Sequence, residues 1–207
     1  MTAICVFAGA SAGERDSYLL AARELGAEIA RRGLGLVYGG ASCGLMGACA
    51  DAALEGGAKV IGVLPRALVS REIAHSNLTE MRIVGSLHER KATMSALSDA
   101  FVALPGGCGT MDELFEAITW AQLGLHQKPI GLLDADGYYG PLLSFIGHMT
   151  AEGFVRPPLR LEVARIAPEL LDRLLAAPPA AISSPGPRPP PRRTATAARF
   201  APRRPRR

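Results

Sequence analysis

One segment concentrates the residues able to do chemistry: Leu104-Pro105-Gly106-Gly107-Cys108-Gly109-Thr110, followed by Met111-Asp112-Glu113. An apolar run ends, a glycine-rich turn follows and a helical pattern begins. Without a Cβ, glycine lets the main chain approach a ligand closely. The N–H groups of a first helical turn lack partners inside the helix, and with the helix dipole they favour an anion, most often a phosphate. Gly106, Gly107, Gly109 and the Thr110 hydroxyl are therefore candidate phosphate-binding groups; a tight turn with no ligand is the plain alternative. Glu113 has two readings. It faces a sugar attached to that phosphate, or it closes a capping box with Thr110 as the N-cap, each side chain accepting the other's main-chain donor. Asp112 is read as solvated, and Glu116 shares Glu113's side of the helix.

Two charged clusters stand near this segment. His88-Glu89-Arg90-Lys91 opens a helix that leads into the strand ending at Leu104, which brings Arg90 towards an anion; a solvated helix surface is the alternative. Pro65-Arg66-Ala67-Leu68 with Arg71-Glu72 lies in a long connection after a strand, where function often resides, though a surface Arg/Glu pair fits as well. The histidines (His75, His88, His126 and His148) are scattered and read as structural or solvent-facing.

The elements that must position these groups alternate. Strand-like apolar runs are expected at Thr2–Ala8, Gly35–Tyr38, Lys59–Leu64, Thr79–Val84, Asp99–Leu104, Pro129–Leu133 and Glu162–Ala167. Helical spacing marks Asp16–Arg32, Leu45–Leu54, Ser86–Ser98, Thr110–Gln122, Gly140–Glu152 and Pro168–Ala177. Apolar strands separated by amphipathic helices imply a single Rossmann-like α/β domain: a doubly wound parallel sheet with helices on both faces. Ligands of such folds sit beyond the carboxyl ends of the strands. The Gly-rich turns Gly9–Gly13, Gly39–Gly47 and Gly106–Gly109 should all crowd that edge.

Charge divides the chain. The net +4 over 207 residues arises from eight arginines between Ser183 and Arg207, where no acid occurs, so the remainder is mildly acidic. A nucleic-acid-binding body is not expected. The α/β domain spans 1–177, and a Pro/Arg-rich tail over 178–207, too poor in apolar residues to offset its ordering entropy, is expected to be disordered and dispensable for activity. Cys5, Cys43, Cys49 and Cys108 show no CxxC spacing and no nearby His ligand pattern, which suits a reduced, cytoplasmic protein. No signal peptide or membrane span is evident.

The pattern Pro105-Gly106-Gly107-x-Gly109-Thr110-x-x-Glu113, preceded by Arg90-Lys91, resembles the signature of the LONELY GUY (LOG) family of cytokinin-activating phosphoribohydrolases, long mislabelled lysine decarboxylases. The likeness runs from about Ala3 to Phe154 and includes Val37-Tyr38-Gly39-Gly40, Gly44-Leu45-Met46-Gly47 and Gly62-Val63-Leu64-Pro65. It implies hydrolysis of the N-glycosidic bond of plain or N6-prenylated adenosine 5′-monophosphates, giving free base and ribose 5-phosphate, with no metal and no redox cofactor. It further implies a homodimer whose site is completed near the subunit interface. By resemblance, Arg90 and Glu113 are the catalytic pair, and Lys91 and Thr110 support them. Glu72 lies by the ribose, Gly107, Gly109 and Thr110 hold the phosphate, and Met94 with Gly39-Gly40 lies near base or ribose. The sequence departs from the family at Ala8-Gly9-Ala10-Ser11, where Cys-Gly-Ser-Ser is frequent, and at Ala41, often glycine.

Two rivals remain. A nucleotide or cofactor carrier, such as the molybdenum-cofactor carrier proteins, would need the glycine turn but no ribose-facing acid. A pyridoxal-phosphate-dependent decarboxylase would need a Schiff-base lysine, and only Lys59, Lys91 and Lys128 occur, with Lys91 alone near the proposed site.

Overall fold

The apolar runs become seven strands: β1 (Ala3–Phe7), β2 (Gly35–Tyr38), β3 (Val60–Pro65), β4 (Glu80–Val84), β5 (Ala100–Ala103), β6 (Ile130–Leu133) and β7 (Leu161–Ala164). Six helices alternate with them: α1 (Asp16–Arg31), α2 (Gly44–Glu55), α3 (Leu87–Ala96), α4 (Cys108–Gln122), α5 (Gly140–Ala151) and α6 (Ala167–Ala176). The computed structural model describes residues 2–69, 74–155 and 159–176. Arg71 and Glu72, and the tail over 178–207, lie outside the described residues.

All strands are parallel and lie in the order β4-β3-β2-β1-β5-β6-β7. The period-2 alternation of β1 shows why the sheet must be covered twice. Ile4 and Val6 face a core shared with α1, α2 and α6, while Ala3, Cys5 and Phe7 face a second core shared with α3, α4 and α5. Charged side chains gather on the edge strand β4, where Glu80 pairs with Arg82 (2.6 Å) and Lys59 (3.8 Å).

The chain winds outward from β1 through β2, β3 and β4, then crosses to lay β5 on the other flank of β1. The resulting switch point between β1 and β5 opens a crevice at their carboxyl ends.

One boundary differs from expectation in a way that bears on function. Helix α4 begins at Cys108, with Gly107 as its N-cap, so Thr110 is the third helical residue and not a cap. The capping arrangement occurs instead on α3, where Ser86 Oγ accepts from the Glu89 N–H (3.1 Å) and the Glu89 carboxylate accepts from the Gly85 N–H (2.6 Å).

Candidate active site

Three loops meet at the switch point. The Gly9 N–H donates to Pro105 O (3.1 Å), and Gly9 O accepts from the N–H groups of Leu45 (3.0 Å) and Met46 (3.2 Å). Gly44, in the left-handed region at φ +60°, lies so close to Ala10 that a Cβ would overlap its carbonyl. The turns after β1, β2 and β5 are thus joined through main chain. They border a cavity of about 510 Å³ lined by Gly9, Ser11, Gly13, Leu45, Met46, Arg90, Gly106, Gly107, Gly109, Thr110, Glu113, Tyr18 and Tyr138, among others.

The acceptors of the β5–α4 turn are engaged one after another. Leu104 O accepts from the Tyr139 hydroxyl (2.6 Å), Pro105 O from Gly9, and Gly106 O from the Tyr138 hydroxyl (2.6 Å). Burial, with Tyr138 and Asp134 adding to it, raises the Tyr139 pKa, so this phenol stays a neutral donor. The first-turn N–H groups of α4, which have no intrahelical partner, remain for a ligand. Thr110 is 3% exposed and packs over Gly106, where a Cβ would overlap its side chain.

Arg90 comes from α3 and is 8% exposed. Its Nε donates to Val63 O (3.1 Å) and one Nη to Gly39 O (3.1 Å), so the guanidinium is fixed across the ends of β3 and β2 while lining the cavity. A Cβ on Gly39 would overlap that nitrogen, which is the reason for a glycine there. Glu113, one helical turn beyond Thr110, is half-buried and lines the same cavity.

Other candidates are placed elsewhere. Met94 is 1% exposed and packs in the core beneath α3, not against the cavity. Neither Gly39 nor Gly40 lines the cavity; Gly39 O holds Arg90 and Gly40 O accepts from the His75 N–H (3.0 Å). Lys91 ties α3 to α4 through Asp112 and Glu116, each at 3.0 Å. Asp112, read as solvated, is therefore an ion-pair partner, and Glu116 belongs to that pair as well. Burial alone would lower the Lys91 pKa, but the hydrogen bonds and charges of Glu116 and Asp112 outweigh it and raise it.

The tyrosines carried no motif signal. Tyr18 and Tyr138 form an edge-to-face pair (centroids 5.7 Å apart) at the cavity mouth. The Tyr138-Tyr139 dipeptide was legible only as a loop after a strand.

The model of the family described as "Possible lysine decarboxylase" matches residues 46–173. A cytokinin riboside 5′-monophosphate phosphoribohydrolase of Arabidopsis thaliana is 53% identical over 173 residues, covering 83% of this chain and 81% of its own. A protein of Oryza sativa subsp. japonica, named as a probable enzyme of the same kind, is 51% identical and covers 83% and 71%. The chain belongs to the LONELY GUY family. Among solved structures, the molybdenum cofactor carrier protein of Chlamydomonas reinhardtii superposes with a TM-score of 0.66 at 27% identity, covering 85% of this chain and 99% of that one. The molybdenum cofactor binding protein from Rippkaea orientalis, at 23% identity and a TM-score of 0.62, shares the fold, with 83% and 93% covered. The LONELY GUY sequences stand much nearer in identity than these two proteins. The decarboxylase description finds no lysine suited to it, since neither Lys59, Lys91 nor Lys128 lines the cavity and the Lys91 amine is held charged.

Proposed function

We propose that the chain hydrolyses the N-glycosidic bond of adenosine 5′-monophosphates, plain or N6-substituted, releasing the base and ribose 5-phosphate. The observation that carries this reading is the convergence of Arg90, Thr110 and Glu113 on one cavity beside the α4 N-terminus. The main-chain donors of Gly107 to Gly109 and the Thr110 hydroxyl take the phosphate. Glu113, a turn further along α4, faces the ribose. As the C1′–N bond breaks, its electron pair leaves with the base, which gains a proton, and a water oxygen bonds to C1′. Positive charge grows on the ribose meanwhile, and a preorganised carboxylate stabilises it. Arg90, locked on two carbonyls, supplies a fixed cation next to the anionic substrate. The identity to phosphoribohydrolases supports the same chemistry, with cytokinin activation and AMP nucleosidase activity as its outcomes.

The test is turnover of AMP and of isopentenyladenosine monophosphate, followed as free base and ribose 5-phosphate. Both products are expected in equal amounts; no base release from either overturns the reading. Glu113→Gln is expected to lower kcat at least about a hundredfold, while binding of ribose 5-phosphate persists. A carrier would bind nucleotide and release no base.

The chain further pairs as a homodimer through the outer side of α4. There Met111, Phe115 and Trp120 line a cleft of about 780 Å³, and Leu123 and Leu125 are each 68% exposed. Light scattering at twice the monomer mass is the expected result. No helix among the described residues is long and apolar enough to cross a membrane. The four unpaired cysteines fit a reducing, cytoplasmic setting.

A further inference from the structure

We propose that Tyr138 is a positioning residue for phosphate binding: its hydroxyl fixes the Gly106–Gly107 peptide so that the turn presents N–H groups to the ligand. The inference rests on reading the β5–α4 turn as the phosphate site.

The peptide unit is planar and trans, so its C=O and N–H point in opposite directions. Holding Gly106 O on the Tyr138 hydroxyl at 2.6 Å therefore also sets the direction of the Gly107 N–H. Gly107 is the N-cap of α4, and its φ of −85° and ψ of −157° are extended, not helical. Nothing stands within 4 Å of where its Cβ would be, so packing does not restrain this residue. A glycine pair with no side chains is free to rotate that peptide, and a rotated peptide would offer a phosphate a carbonyl. The preceding peptides are already fixed by Tyr139 and Gly9, leaving the Gly106–Gly107 peptide to Tyr138.

Tyr138 is itself held from outside the turn. Its ring packs edge-to-face on Tyr18 and on Tyr139 (5.1 Å). The loop carrying it, a single 3₁₀ turn at Ala135–Gly137, is latched to the start of α1. There Asp136, in the left-handed region at φ +52°, accepts from Ser17 Oγ and faces Arg15 (3.9 Å). Arg15 lies over the Tyr18 ring (6.0 Å). The ring is thus placed independently of the hydroxyl, and Tyr138→Phe removes one hydrogen bond while keeping the wall of the cavity.

The experiment compares wild type and Tyr138→Phe in three readouts: kcat and KM with a nucleoside 5′-monophosphate, the Kd of ribose 5-phosphate by calorimetry, and the melting temperature. Loss of one hydrogen bond should raise KM and Kd together by about three- to tenfold, with kcat within twofold or so and the melting temperature little changed. Unchanged Kd overturns the proposal, as does a fall in kcat without a change in Kd, which would place the hydroxyl at the reacting centre. A wild type that binds no ribose 5-phosphate overturns it also. A wild type that binds ribose 5-phosphate but turns over no nucleotide, with binding weakened in Tyr138→Phe, sinks the hydrolase reading and leaves this inference standing.

Discussion

Arg90 shows how one side chain joins support and chemistry. Its two bonds run to the carbonyls of Val63 and Gly39, at the ends of separate strands, while its charge faces the cavity. Lysine keeps the charge but lacks the planar fork. Arg90→Lys should therefore leave one carbonyl unpartnered and lower stability by about 1–3 kcal/mol, with kcat/KM falling as well; thermal melting and steady-state rates check both. Arg90 was legible in the sequence as a cation near the ligand edge. Its carbonyl partners were not, because residues 27 and 51 positions away come together only through sheet order. Tyr138 left no trace for a similar reason, since its role is to hold Gly106, 32 residues distant. Lys91 was read as part of the site, yet its pairing with Asp112 and Glu116 makes it a brace between α3 and α4.

At the scale of the element, the β5–α4 junction separates glycines that serve packing from glycines that serve a ligand. A Cβ at Gly106 would overlap Thr110 and crowd Gly9 N at 2.8 Å, whereas at Gly107 it would meet nothing within 4 Å. Gly106→Ala is expected to destabilise the protein by about 1–3 kcal/mol through overpacking. Gly107→Ala should leave stability within about 0.5 kcal/mol but weaken ribose 5-phosphate binding, because the methyl stands where the ligand approaches. Melting temperature set against calorimetric Kd tells the two apart; equal losses of stability would contradict the division. The strands and helices were readable from their periods, and all thirteen occur. The start of α4 was misjudged because Thr110 and Glu113 have the spacing of a capping box. The helix instead starts at Cys108, just after a segment whose Leu104, Pro105 and Gly106 carbonyls are held by Gly9 and two tyrosines, contacts that local spacing does not encode.

Across the whole molecule, the strand order decides that the turns after β1 and β5 face each other. An α/β alternation announces a doubly wound sheet, but many orders share it; the class and the carboxyl-end edge where the Gly-rich turns gather were legible, whereas the order that sets β1 beside β5 was not. The first and last described helices also meet: Arg32, the residue that ends α1, bridges Glu28 of α1 (2.6 Å) and Asp172 of α6 (2.7 Å). The hydrogen bond from Arg31, helped by Arg32 and opposed by burial, lowers the Glu28 pKa from 4.5 to about 2. A depressed carboxylate pKa stabilises the fold above its unfolded value and loses that contribution as pH falls. Wild type should thus be more stable than Glu28→Gln near neutrality, and the two should converge as pH drops from 4.5 towards 2. Thermal melting across that range checks it, and parallel curves would contradict it.

The peptide groups around Gly9 have a consequence of their own. Gly9 donates to Pro105 and accepts from both Leu45 and Met46, so two loops and the first turn of α2, distant in sequence, share one small knot of amides. Each of these amides stays hydrogen-bonded until that knot comes apart. In hydrogen–deuterium exchange the amides of Gly9, Leu45 and Met46 should then be labelled together, in a single opening event, and slow together when ribose 5-phosphate is present.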